Sequence, residues 1–121
     1  MQKSSNHETG IKAEKLAAAL LRKKGYEIVA RRVGARRGTD AGEVDIVALK
    51  GRMLVFVEVK KRKTHTEALE SIMSRQQARV YRAAELFLAQ NPQYAGYDCR
   101  FDAIAFDGAY VAEHVENAWG L

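Results

Sequence analysis

The strongest constraint on the fold is an apolar run that ends in two charged residues. Residues 54–60 read Leu-Val-Phe-Val-Glu-Val-Lys. A run this apolar is typical of a strand that is covered on both faces. Because side chains alternate along a strand, Glu58 and Lys60 point to the same face. The sequence therefore predicts a central strand that carries a carboxylate and an ammonium group near its end.

A second strand lies immediately upstream and carries another acid. Residues 43–49 read Glu-Val-Asp-Ile-Val-Ala-Leu, and Gly51 marks a short turn before the next strand begins at Met53. Two strands that are joined by so short a turn must be antiparallel neighbours. This pairing is expected to bring Asp45 close to Glu58 on the adjacent strand.

The rest of the pattern predicts an α/β protein with the element order αβββαβ. Helices that lie over a central mixed sheet are the expected packing. Ser5 with Glu8, or Thr9, is the expected cap of the first helix, and Gly25 is expected to end it. Residues 62–71 are predicted to be polar and irregular. The expected elements are a helix over 10–24, strands over 26–33, 43–49 and 53–61, a helix over 74–90, and strands over 98–106 and 110–115.

Length, charge and cysteine content narrow the class of protein. The 121 residues predict one domain, 1–121, and the net charge of +5 favours an anionic partner. The single cysteine, Cys99, excludes an internal disulfide and fits a cytoplasmic protein, where we expect it to be a small buried apolar side chain. We find neither a secretory signal nor an apolar run long enough to span a membrane.

The two acids and the lysine form a pattern that suits metal-dependent phosphodiester chemistry. Asp45 and Glu58 offer the oxygen ligands that Mg²⁺ prefers, with Mn²⁺ as an alternative, and the carbonyl of Val59 is a further candidate ligand. Lys60 is placed to orient a nucleophilic water and to offset negative charge on a phosphate. A solvated Glu-x-Lys pair is the usual alternative, but here the tripeptide follows an apolar run and has an acid on the neighbouring strand.

Two helical residues are further candidates for the same site. Glu14 lies at the edge of the apolar stripe of the first helix and could add a third carboxylate. An ordinary surface glutamate in a first turn is an equally good interpretation of Glu14. Gln77 borders the apolar face of the second helix, in one row with Tyr81, and could bond to a substrate phosphate. A polar residue that merely flanks the helix is an equally good interpretation of Gln77.

The basic residues are grouped in a way that suits a polyanionic partner. One group continues directly from the candidate site, and another lies in a glycine-containing loop between the first two strands. The expected nucleic-acid contacts are Arg36, Arg37, Lys61, Arg62 and Lys63. Away from this site, Arg100 and Asp102 share a face of the fourth strand and are expected to form a partly buried ion pair.

Four motifs, in order, resemble those of the YraN-like family of small bacterial proteins. That family in turn resembles Holliday-junction resolvases and the PD-(D/E)xK nucleases, which have the restriction-endonuclease-like fold. The resemblance implies that Asp45, Glu58 and Lys60 are the catalytic signature and that Glu14 is the acid from the first helix. Gln77 matches the position of a polar residue on the second helix of the family. The motifs are Gly10-x-x-Ala13-Glu14, Gly42-Glu43-Val44-Asp45-Ile46-Val47, Phe56-Val57-Glu58-Val59-Lys60 and Arg100-Phe101-Asp102.

The leading hypothesis is a Mg²⁺-dependent endonuclease that hydrolyses phosphodiester bonds of branched or damaged DNA. The resemblance further implies a 5′-phosphate product and, by analogy with resolvases, a homodimer. One alternative is a non-catalytic nucleic-acid-binding module on the same fold, whose salt-dependent binding would survive Asp45→Asn without metal. Another is an adaptor for an acidic protein partner, which would show no salt-sensitive binding to DNA.

Overall fold

The structure is a computed structural model that describes residues 2–34, 43–73 and 77–119. The predicted loop with Arg36 and Arg37 lies outside these residues. In chain order the elements are α1 (Gln2–Lys23), β1 (Glu27–Val33), β2 (Val44–Lys50), β3 (Met53–Lys61), α2 (His65–Met73), α3 (Gln77–Gln90), a short 3₁₀ helix (Pro92–Tyr94), β4 (Asp98–Phe106) and β5 (Ala112–Val115).

The five strands form one mixed sheet in the order β1-β2-β3-β4-β5. β1, β2 and β3 are antiparallel neighbours, β3 and β4 are parallel, and β4 and β5 are antiparallel. The turn from β2 to β3 has Gly51 at φ +60°, a backbone conformation that glycine adopts without strain. Parallel strands need a long crossover connection, which here contains α2 and α3. The predicted mixed α/β sheet with flanking helices is confirmed.

Helices cover both faces of the sheet. α1 packs against one face through a stripe of small and apolar residues. Leu16 of the same helix is not part of this stripe and is 37% exposed. α2 and α3 pack against the other face, where Phe56 and Phe87 contact edge to face. Among the described helices, none is both long and apolar enough to cross a membrane. The buried members of the α1 stripe are Ala13, Ala17, Ala18 and Leu21.

The first helix is longer than the sequence predicted. It begins at Gln2 rather than near Gly10, so Ser5 and Thr9 lie within the helix and do not cap it. An internal glycine costs a helix only about 1 kcal/mol, which burial of the apolar stripe offsets. The predicted end at Gly25 is confirmed. Gly25 has φ +95°, and the Gly25 and Tyr26 amides donate back into the last turn, as in a Schellman motif.

The prediction of an irregular segment over residues 62–71 is wrong, because α2 occupies most of it. Thr64 caps this helix: its Oγ1 accepts a hydrogen bond from the Glu67 amide at 3.1 Å and donates one to the Glu67 carboxylate at 3.2 Å. Ala68 and Ile72, one turn apart, are buried against the sheet. The Thr-x-x-Glu signature of a helix start is present in the sequence, but the polar residues around it mask the short apolar face of the helix.

Candidate active site

The candidate site lies where β2 and β3 separate. The last paired residues of these two strands are Ile46 and Val57, while β2 remains paired with β1 as far as Val44. Asp45 and Glu58 are the next residues beyond that last pair. The predicted juxtaposition of these two acids on adjacent antiparallel strands therefore falls at the point where the hydrogen-bond ladder opens.

At this opening a side-chain oxygen, rather than a backbone carbonyl of β2, accepts the hydrogen bond from β3. Oδ2 of Asp45 accepts a hydrogen bond of 2.8 Å from the backbone N–H of Val59. In a strand the N–H and C=O of one residue point to the same side, as they do in an antiparallel hydrogen-bonded pair. The carbonyl of Val59 therefore faces the same gap as the Asp45 carboxylate. They are two of the three oxygen donors that the sequence proposed as metal ligands, the third being the carboxylate of Glu58.

A cavity of about 860 Å³ opens over this gap, bounded by the first half of α1, the end of β1, the start of β2 and the end of β3. Val59 also lines it, as do three acidic and five basic side chains. A positively charged rim around a few carboxylates suits an anionic ligand together with a cation. The acidic and basic lining residues are Glu14, Glu43, Asp45, Arg32, Lys60, Lys61, Arg62 and Lys63.

Glu14 reaches the cavity because neighbouring residues anchor α1 to the sheet. Ala13 and Ala17 are buried, and Glu14 itself is only 9% exposed. The interpretation of Glu14 as an ordinary surface residue therefore does not hold. Its Oε1 lies 3.3 Å from Nε of Arg32 on β1. This ion pair couples the helix to the edge strand across the cavity.

Arg32 is a cavity residue to which the sequence analysis assigned no role. Its backbone has φ +52°, a left-handed conformation that is uncommon for any residue other than glycine. Such strain is concentrated at functional sites, where the surrounding structure holds it. Regular alternation could not have revealed the direction of this side chain, because β1 also has an irregular register between Ile28 and Ala30.

Two predicted site residues do not line the cavity. Glu58 is 1% exposed and lies two residues after Phe56 on β3, so both side chains are on the face of the sheet that α3 covers. It is not among the described residues that line the cavity, but its burial contradicts the solvated-pair alternative. Gln77 is the first residue of α3, on the face of the sheet opposite to α1, and it does not line the cavity either.

The donor set fits a hard divalent cation held by few protein ligands. Among the described residues, no group of three or more histidine, cysteine, aspartate or glutamate side chains is placed to hold a metal ion. Mg²⁺ commonly uses only one or two carboxylates and completes its shell with water and phosphate. Asp45 and the Val59 carbonyl, with Glu14 across the cavity, offer oxygen atoms only, which is the chemistry that Mg²⁺ selects.

A second polar cluster ties β4 to the turn between α1 and β1 and to β5. Asp102 is fully buried and accepts two hydrogen bonds of 2.8 Å from Arg100. It also bonds to His114 Nε2 at 2.8 Å and to the Asn117 amide at 2.9 Å, while Arg100 donates to the Tyr26 hydroxyl at 2.7 Å. The ion pair predicted between Arg100 and Asp102 is thus present.

Hydrogen bonds keep this cluster charged. Burial raises the pKa of Asp102, but the bonds from His114, Arg100 and the Asn117 amide outweigh burial and hold that pKa below its usual 3.8. The hydrogen bond to Asp102 in turn raises the pKa of Arg100. The buried carboxylate and guanidinium therefore form a stable ion pair within the sheet.

Fold and site together define the class: a mixed α/β protein with one helix-covered five-stranded sheet and a polar cavity at a split between two strands. Residues 13–106 match the family described as "Uncharacterised protein family UPF0102", and the chain belongs to that family. The YraN-like resemblance seen in the sequence is thereby confirmed at the level of the family.

Several relatives are similar over most of their length. A "UPF0102 protein" of Azorhizobium caulinodans is 45% identical over 120 residues, which cover 99% of this chain and 88% of the relative. The "UPF0102 protein amb4503" of Paramagnetospirillum magneticum is 44% identical, with 90% and 84% covered. A "UPF0102 protein" of Parvibaculum lavamentivorans is 42% identical, with 93% and 82% covered.

Proposed function

We propose that this protein is a Mg²⁺-dependent endonuclease that hydrolyses phosphodiester bonds of DNA, with branched or damaged DNA as its substrate class. The observation that carries the proposal is the single cavity that Glu14, Asp45, Val59 and Lys60 line together. These residues come from three different elements, and the opening of the β2–β3 ladder exposes two of their oxygen donors to one space.

The charge distribution of the cavity supports a nucleic-acid substrate. Its carboxylates suit a cation, whereas Lys60 to Lys63 and Arg32 place positive charge around them. Phosphate groups are attracted to such a surface without regard to sequence, which favours recognition of DNA by shape and charge. An uncharged substrate would leave these basic side chains without an anionic ligand.

The roles of the residues follow from their positions. Asp45 is held by the Val59 amide, so its carboxylate is oriented before any ligand arrives. A bound divalent cation would lower the pKa of a coordinated water and polarise the phosphate. Lys60, at the end of β3, supplies positive charge to the phosphate as negative charge builds up on it. Arg32 balances Glu14 across the cavity.

A non-catalytic nucleic-acid-binding module is the second candidate, and one observation favours it. The described residues include no group of three or more acidic, histidine or cysteine side chains placed to hold a metal ion. The basic rim would still attract DNA without such a group. This candidate predicts binding without cleavage, and that binding would not depend on the charge of Asp45.

A cleavage assay separates the two candidates. The wild type is incubated with a four-way DNA junction, a linear duplex and a single-stranded RNA, each with Mg²⁺, Mn²⁺ or EDTA. We expect cleavage of DNA that requires the cation and leaves 5′-phosphates. We expect Lys60→Gln to reduce the rate by about 10²- to 10³-fold, the range typical for loss of one group that stabilises developing charge.

Lys23→Gln is the matched control, because it removes the same charge from an exposed position in the last turn of α1. Its cleavage rate should equal that of the wild type. If the wild type binds the junction but cleaves none of these substrates under any cation condition, the endonuclease proposal is wrong. The binding module then becomes the better account of the fold.

A further inference from the structure

A tyrosine beside the cavity gathers two ammonium groups. Nζ of Lys12, on α1, lies 4.3 Å from the centroid of the Tyr110 ring, and Nζ of Lys61, at the end of β3, lies 4.8 Å from it. Lys61 also lines the cavity. The ring thus connects the basic rim of the cavity to a lysine that is distant in sequence and on another element.

The turn between β4 and β5 is built to hold this ring in place. Tyr110 has φ +61°, a left-handed conformation that is strained for an aromatic residue. Asp107 fixes the turn: its Oδ1 accepts hydrogen bonds of 2.9 Å from the amides of Ala109 and Val111. The amide of Tyr110 donates to the Asp107 carbonyl at 3.0 Å. The surrounding hydrogen bonds therefore offset the strain of placing Tyr110.

Neighbouring segments fix the position of the turn relative to β3. The amide of Gly108 donates to the Lys63 carbonyl at 3.0 Å, and the ring of Tyr110 packs against Phe106 at 6.3 Å between centroids. His65 bonds to the Val111 carbonyl at 2.7 Å. The contacts from Lys63 and His65 thus hold the turn beside the basic residues that follow β3.

The Tyr110 ring attracts both ammonium groups and so places two positive charges beside the cavity. Each cation–π contact at an exposed site contributes about 0.5–1 kcal/mol. A backbone phosphate beside this ring would accept a charge-assisted hydrogen bond from an ammonium group there. The Asp107 carboxylate offsets part of the charge of Lys61, and the ammonium group of Lys12 keeps the pair positively charged overall.

We propose that Lys12, Tyr110 and Lys61 form a phosphate-binding site that holds the nucleic-acid backbone beside the cavity. This inference rests on the proposed function, since it assigns the backbone next to the reacting phosphate to this site. Tyr110 positions the two ammonium groups, and the lysines make the contacts to phosphate. The affinity of this site should not depend on the base sequence, because it contacts only the charged backbone.

The test is the salt dependence of binding to a fluorescent four-way DNA junction, measured by anisotropy in EDTA so that no cleavage occurs. Loss of one phosphate contact lowers the slope of log K against log salt by about 1. We expect that decrease for Lys12→Gln and no change for the control Lys23→Gln. Lys12 is exposed on α1, so its replacement preserves the fold.

A second pair of variants tests the role of the ring. Tyr110→Leu should weaken binding by roughly 2- to 5-fold for each ammonium group that it releases. Tyr110→Phe keeps the aromatic face and should bind within about twofold of the wild type. Both replacements place a non-glycine residue at the same strained φ, so backbone strain cannot account for a difference between them.

The outcomes separate this inference from the proposed function. If Lys12→Gln keeps the wild-type salt slope, or Tyr110→Leu binds as tightly as Tyr110→Phe, the three residues are only a packing contact. Cation-dependent cleavage by the wild type would then still support the endonuclease proposal. If the wild type shows no salt-dependent binding to the junction, the phosphate site and the nucleic-acid function both fail.

Discussion

Replacement of Asp102 by asparagine is predicted to be among the most destabilising isosteric changes in this chain. The carboxylate accepts bonds from Arg100, His114 and the Asn117 amide in a fully buried position. An asparagine has one oxygen and one NH₂ group in their place. The NH₂ group would face a donor, and the guanidinium of Arg100 would keep only the exposed carboxylate of Glu116, 3.8 Å from its Nη1, as a counter-charge.

The expected cost can be worked out from this geometry. Removing one partner of a buried ion pair costs about 3–5 kcal/mol. The side chain of Arg100 is 19% exposed and regains some hydration, so we expect the lower end, about 3 kcal/mol. A protein of 121 residues has a total stability of roughly 6–18 kcal/mol, so the variant should fold with a much smaller margin.

The same carboxylate predicts a dependence of stability on pH. The pKa of Asp102 lies below its ordinary 3.8 in the folded protein. Its contribution is therefore fully present above about pH 4, and it is lost as the pH falls through the lower, folded-state pKa. The free energy of unfolding of the wild type should decrease in acid more steeply than that of Asp102→Asn.

Urea denaturation at pH 7 and at pH 3 measures both effects. With a slope of about 1–3 kcal/mol per molar urea, a loss of 3 kcal/mol lowers the midpoint by roughly 1–3 M at pH 7. Asp98→Asn is the control, because Asp98 is exposed at the start of the same strand. Equal midpoints for the wild type and Asp102→Asn at pH 7 would refute the argument that this ion pair stabilises the fold.

Two further predictions concern the helix cap and the cavity. Thr64→Ala should lower the free energy of unfolding by about 1 kcal/mol in the same urea titration, because the helix loses its cap to the Glu67 amide. The control Thr66→Ala, at an exposed neighbouring position, should have little effect. Equal effects of the two changes would contradict the capping role of Thr64. Arg32→Gln should tighten Mg²⁺ binding by about 1.4- to 5-fold in calorimetry, because Glu14 then no longer pairs with Arg32 in a half-exposed ion pair. Weaker binding would contradict this prediction and show that Arg32 supports the cation.

The central strands could be predicted closely from the sequence. Apolar runs between clear turns define Met53–Lys61 and Asp98–Phe106, and the structure has the same bounds. These segments are buried on both faces, so local pattern and tertiary packing favour the same conformation. The position of Asp45 beside the end of β3 followed from the short Gly51 turn, which leaves only an antiparallel pairing.

The other features of the fold and the site depend on tertiary packing, which local sequence patterns do not reveal. The amphipathic face of the helix that carries Gln77 shows that it packs on a sheet, but not on which face. Lys12 and Lys61 both lie beside the ring of Tyr110, which the β4–β5 turn positions. The direction of Arg32 depends on a strained backbone angle. Such sites require long-range contacts, since the residues involved are far apart in the chain.

The most direct test of the account is a Mg²⁺ titration by calorimetry of the wild type, Asp45→Asn and the exposed control Asp98→Asn, alone and with junction DNA. Asparagine keeps an oxygen that can accept the Val59 hydrogen bond, so the Asp45 variant should fold. The account predicts saturable binding by the wild type and the control that is lost in Asp45→Asn. If the wild type binds no Mg²⁺ even with DNA, or if Asp45→Asn binds it equally well, the proposed metal site at the β2–β3 opening is wrong.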